Sequence, residues 1–84
     1  MTRETIGRIF NRRFNGQRNF MTPYLVEYGE TPKGYIYELS KGTGFDREPI
    51  YGVTVLTRGG SKTQGISKGG FLSEREAKNY IESI

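Results

Sequence analysis

A chain of 84 residues that contains neither cysteine nor histidine has to hold itself together by side-chain packing alone. Disulfides, thiolate metal sites and thiol nucleophiles are excluded from the outset. The length allows one domain with a modest core, too small to split in two. Aromatic residues supply much of the apolar content, six tyrosines and five phenylalanines, so a few large rings are expected to fill that core. Twelve glycines point to turns and hairpins.

The N-terminal end reads as a short amphipathic helix. Thr2 is a suitable N-cap with Glu4 in the first turn, Ile6, Ile9, Phe10 and Phe14 recur at helical spacing, and Asn15-Gly16 is a stop signal. At 100° per residue Arg8 and Arg12 fall opposite the Ile6/Phe10 stripe and Arg13 falls on its flank, giving a basic outward face.

Strand patterns follow. Pro23 to Tyr28 alternates with Tyr24, Val26 and Tyr28 on one side, and Gly34 to Ser40 alternates with Tyr35, Tyr37 and Leu39. The stretch from Gly29 to Lys33 has hairpin-turn length and composition. A third strand, Ile50 to Thr57, places Tyr51, Val53 and Val55 on one face and Thr54 and Leu56 on the other. Arg58-Gly59-Gly60-Ser61 turns it into a weaker strand from Lys62 to Ser67, and Lys41 to Pro49 is expected to be a mobile loop.

At the C-terminal end Ser73 and Glu76 have capping-box spacing, Leu72 and Ala77 occupy the hydrophobic-staple positions, and Ala77, Tyr80, Ile81 and Ile84 form one stripe. A helix from Glu74 onward should pack on the sheet. The expected fold is therefore α+β: an antiparallel sheet of three or four strands against a C-terminal helix, with a basic helix or arm over residues 1–21 beside a body over residues 22–84.

The formal net charge of +4 is unevenly distributed. Residues 1–21 carry Arg3, Arg8, Arg12, Arg13 and Arg18 against Glu4, whereas from Thr22 to Ile84 eight basic and eight acidic side chains cancel. The cations of the arm are all arginines interspersed with asparagine and glutamine. That chemistry suits bidentate contact with phosphates and base edges, where a solubilising face would be served by lysine.

Catalytic chemistry has little to build on. General acid–base work falls to histidine or to carboxylates gathered in one cleft. Here Glu74 and Glu76 diverge on a helix, Asp46 and Glu48 sit in a loop, and Glu27 and Glu38 fall on what reads as the solvent side of strands. Asp46 and Glu48 are the one pair with magnesium-ligand chemistry, and nothing else singles them out. Lys41-Gly42-Thr43-Gly44 lacks the second half of any phosphate-binding fingerprint. The tyrosines at 24, 28, 35, 37 and 51 fit a core face better than a set of stacking platforms. No enzyme, cofactor or metal is expected. Without a long apolar run or a signal-peptide pattern, a cytoplasmic location is.

From Tyr51 the chain runs Tyr-Gly-Val-Thr-Val-Leu-Thr-Arg-Gly-Gly-Ser-Lys-Thr-Gln-Gly-Ile-Ser-Lys-Gly-Gly-Phe-Leu-Ser-Glu-Arg-Glu-Ala. Gly70-Phe71, Ser73 and Glu76-Ala77 resemble the strand-to-helix junction of the arm-DNA-binding domain of phage and transposon integrases, over about two-fifths of the chain. The resemblance implies a sheet face lying in the major groove, with Arg58, Lys62, Gln64 and Lys68 on the contacting hairpin. It departs from the family in having no recombinase domain after it and no net positive charge on the body. The leading expectation is a non-enzymatic DNA-binding protein, a regulator or accessory factor of phage or mobile-element type. In it Arg8, Arg12, Arg13 and Arg18 grip phosphates and the hairpin reads the groove. The alternative is a phage-type inhibitor or adaptor that docks on a host protein with an acidic surface.

Overall fold

The computed structural model describes residues 1–57 and 64–84, with Gln64 as backbone only. Six elements follow one another: α1 (Arg3–Phe14), β1 (Tyr24–Glu30), β2 (Ile36–Thr43), β3 (Pro49–Thr57), β4 (Gln64–Phe71) and α2 (Glu74–Ser83). The four strands form one antiparallel sheet in sequence order. The fold is a small α+β arrangement of the expected kind, with one helix on each face of the sheet.

The two faces follow from the strand register. Leu39 lies opposite Val53 and Tyr37 opposite Val55, and these residues gather with Ala77 and Ile81 of α2 into one buried cluster. On the reverse face Ile36 lies opposite Leu56, and there Leu56 is buried with Ile6 and Phe10 of α1. Ile6 and Phe10 are 1% and 2% exposed, so α1 is built into the core. Gly7 lets the helix settle onto the sheet, since a Cβ there would come within 3.0 Å of the Tyr28 ring.

Both helices end as their sequences dictate. The Thr5 N–H donates to the Thr2 hydroxyl at 3.2 Å, and Asn15 adopts the left-handed conformation with φ 55° that closes α1. Arg12 and Arg13 in the last turn complement the helix dipole. In α2 the Glu76 N–H donates to the Ser73 hydroxyl at 3.1 Å. The Glu76 carboxylate then reaches back to the Leu72 N–H, one residue before the cap. The staple does not form: Leu72 is 64% exposed, and Phe71 packs on Tyr80 in its place with ring centroids 5.3 Å apart.

Two strand expectations are corrected. A bulge between Leu25 and Glu27 breaks the alternation of β1, so Val26 packs on the α2 side while Tyr28 turns to the α1 side against Phe10. Lys41, Gly42 and Thr43 extend β2, pairing with Tyr51, Ile50 and Pro49, which leaves only Gly44 to Glu48 as the connecting turn. Its Gly44 N–H donates to the Glu48 carbonyl at 2.8 Å. Among the described residues, no helix is long and apolar enough to cross a membrane.

Candidate nucleic-acid interface

The path of the chain after α1 decides which surfaces stay open. α1 runs across the strands, its start near β1, where Arg3 lies 3.6 Å from Glu27, and its end over β4, where the Phe14 ring sits against Gly65. Residues 15–23 then return along the same face as a strap. Arg18 meets β1 and β2: its Nε is 3.4 Å from Glu38 Oε2 and its Nη2 donates to the Tyr28 hydroxyl at 3.3 Å. The Ser40 hydroxyl donates to that of Thr22 at 2.9 Å, both residues being buried. Gly42 admits the Met21 backbone so closely that a Cβ would collide with its carbonyl oxygen.

Two carboxylates therefore occupy places other than the expected solvent side. Glu38 is buried under the strap, and burial pushes its carboxyl above the ordinary value, an effect that Arg18 and Tyr28 partly offset. Glu27 is half-buried between Lys78, at 3.5 Å, and Arg3. Glu38 sits at the floor of a groove of about 260 Å³ whose other polar walls include Gln17, Asn19, Thr54 and Ser67. The Thr54 and Ser67 hydroxyls are 3.1 Å apart and share one hydrogen bond. The Glu38 carboxyl is paired with arginine, and no second carboxylate lines this groove among the described residues. Asp46 and Glu48 are exposed in the β2–β3 turn, and among the described residues no three acidic side chains gather.

No known protein family, curated protein or solved structure matches the chain.

The candidate binding residues fall into four groups. Arg8 and Arg12 are exposed on the outward side of α1, and Arg13 is exposed on the flank of its Ile6/Phe10 stripe. Arg18 is turned inward to Glu38 and Tyr28. Lys68 lies on the opposite face of the sheet, opposite Val53, with its Nζ 4.9 Å from the centre of the Tyr80 ring, a cation–π contact. Arg58 and Lys62 lie outside the described residues, and Gln64 is the first residue of β4, paired with Thr57. Arg8 and Arg12 thus share a surface, Arg13 flanks it, and Lys68 lies on the other side of the sheet.

The sheet faces bear on how nucleic acid could be met. α2 covers one of them. α1 and the strap overlie the other, α1 reaching Gly65 of β4 and the strap reaching Gly52 of β3, with a groove between them lined by Thr54 and Ser67. The outer side of α1 is a basic surface that stands clear of the sheet. The tyrosines are divided between roles. Tyr35, Tyr37 and Tyr51 pack on the α2 cluster and Tyr28 on the α1 cluster, while Tyr24 is 67% exposed. Sequence reasoning missed Glu38 and the strap. The sequence carried no local signal for the strap, because a run as polar as Gln17, Arg18, Asn19 and Thr22 reads as a solvated linker.

Proposed function

We propose that the chain is a small non-enzymatic protein that binds duplex DNA through the outward face of α1, acting in the cytoplasm as a regulator or accessory factor of phage or mobile-element type. The observation that carries this reading is the character of that face. It presents Arg8 and Arg12 with Arg13 on its flank and Glu4 in its first turn, and no large apolar side chain between Arg3 and Phe14 is exposed. Protein interfaces are anchored by buried aromatic or aliphatic groups, which this surface lacks, whereas a phosphate backbone asks for cations alone. Binding of a random-sequence duplex, followed by fluorescence anisotropy at low and moderate salt, tests the reading. Micromolar-range binding that weakens steeply with salt is expected. Absence of binding at low salt would overturn it.

A second reading rests on a different surface. Phe20, Tyr24 and Phe45 are 86%, 67% and 97% exposed, and all three belong to the end of the sheet where β1 begins and β2 turns into β3. Exposed rings of this kind suit an inhibitor or adaptor docking on a host protein. Recovery of one stoichiometric protein by wild type and its loss on Phe20→Ser with Phe45→Ser would favour it.

A further inference from the structure

The outward side of α1 carries more than charge. Taking 100° per residue, Arg8, Asn11 and Arg12 fall within about 100° of the helix circumference with Glu4 among them, and Asn15 follows as the C-cap. All are exposed, on a helix whose other side is locked to the sheet by Ile6 and Phe10. Resting on the DNA-binding reading above, we propose that α1 is a sequence-reading helix: its Arg8, Asn11, Arg12, Asn15 stripe enters the major groove and contacts base edges.

Two observations support base reading over phosphate gripping alone. The first is side-chain type. Arginine pairs bidentately with guanine O6 and N7, and asparagine with adenine N6 and N7. Asn11 adds no charge, so a purely electrostatic surface would gain nothing from it, whereas Asn15 is already required as the left-handed stop of α1. The second is dimension. From Arg8 to Asn15 the helix rises about 10 Å, roughly three base-pair steps, and an α-helix is the element the major groove of B-form DNA admits. A-form RNA has a major groove too narrow for one, which points to DNA. On the helix flank, Arg3, Glu4, Gly7 and Tyr28 line a shallow depression beside Arg8 and Asn11, and the Glu4 carboxylate there disfavours a phosphate.

Rigidity completes the case. The helix is capped at both ends and its buried side packs Phe10 between Phe14 and Tyr28, at centroid distances of 5.8 and 5.6 Å, so the stripe is held in one orientation before binding.

The experiment is selection of bound duplexes from a pool with a randomised core, by wild type and by Asn11→Ala and Asn15→Gly. Both substitutions suit the local backbone, the second because Asn15 already has φ 55°. Wild type should enrich a motif of three or four base pairs containing guanine and adenine. Each variant should lose preference at one adenine position, by roughly 5- to 150-fold against the selected site, with less than about twofold change on random duplex. Binding of the pool without enrichment, or enrichment that neither variant alters, would overturn base reading by α1 and leave the DNA-binding reading standing. Absence of pool binding at low salt would overturn both.

Discussion

Arg18 Nε and Glu38 Oε2, 3.4 Å apart, tie the strap of residues 15–23 to the second strand of the sheet. The guanidinium also donates to the Tyr28 hydroxyl and to the Pro23 carbonyl, so one side chain fastens the strap to β1, to β2 and to its own end. Arg18→Ala leaves a buried carboxyl without its cation and should lower stability by about 1–3 kcal/mol. Lysine has one ammonium in place of a planar fork and should restore only part of the loss. Chemical denaturation of the three proteins checks this, and an Arg18→Ala curve that overlays wild type would show the strap to be held by other contacts.

The same pair sets a pH dependence. Burial raises the Glu38 carboxyl above the unfolded value of about 4.3. Between the unfolded and the folded value the native state binds more protons than the unfolded chain, so this group's contribution falls as pH rises through that window. Glu38→Gln removes the titration. The stability of Glu38→Gln relative to wild type should therefore improve from pH 4 to pH 7. Melting of both proteins at the two pH values is the measurement, and a difference that stays constant or moves the other way contradicts the assignment.

Gly42 is a position where side-chain volume itself is excluded. A Cβ would strike the Met21 carbonyl oxygen, and backbone cannot rotate aside as a flexible side chain can. Gly42→Ala should cost about 1–3 kcal/mol. Gly69→Ala, with no atom within 4 Å of the added carbon, should stay within about 0.5 kcal/mol of wild type. Equal melting temperatures for the two variants would mean that the strap can lift without loss.

Helix α2 is expected to be indispensable. Ala77 and Ile81 are 0% and 4% exposed and close the cluster formed by Leu39, Val53 and Val55. Ile81→Ala should destabilise by about 2–5 kcal/mol, and truncation before Ser73 should abolish cooperative unfolding. Leu72→Ala, at a site 64% exposed, serves as the control and should change little.

What could be read from the sequence and what could not divides along local and non-local causes. The cap at Thr2, the stop at Asn15, the cap at Ser73 and the two-sided pattern of β3 are local, and each appears where the residues place it. The bulge at Leu25 and Glu27 leaves no local mark, yet it moves Tyr28 to the other face. Glu38 reads as a solvent-side strand residue because strand alternation says which face a side chain takes and nothing about what lies over that face. Here the cover comes from residues 15–23, some twenty positions earlier. The exposed site residues Arg8 and Arg12 were legible from helical periodicity. The inward turn of Arg18 was not, since its partners lie in β1 and β2.

The last prediction separates the outward arginines from the inward one. Each cation that neutralises a phosphate releases condensed counterions, and the slope of log affinity against log salt records about 0.9 for each such contact on B-form DNA. If Arg8, Arg12 and Arg13 grip phosphates or line the groove, replacing all three with alanine should weaken binding to every duplex and flatten the slope by about 2–3. Arg18, folded against Glu38, should add nothing to that slope, so Arg18→Gln should bind with wild-type salt dependence under conditions where it remains folded. Changes at Arg58 or Gln64 address the hairpin separately. If either meets a base edge, the loss appears as about 1–3 kcal/mol on a preferred site and not on random duplex. A salt titration of wild type and these variants on one selected and one random duplex resolves the contributions. An unchanged slope in the triple variant would mean that α1 does not carry the electrostatic part of binding, and a flattened slope in Arg18→Gln would mean that the strap opens to let Arg18 reach the phosphates.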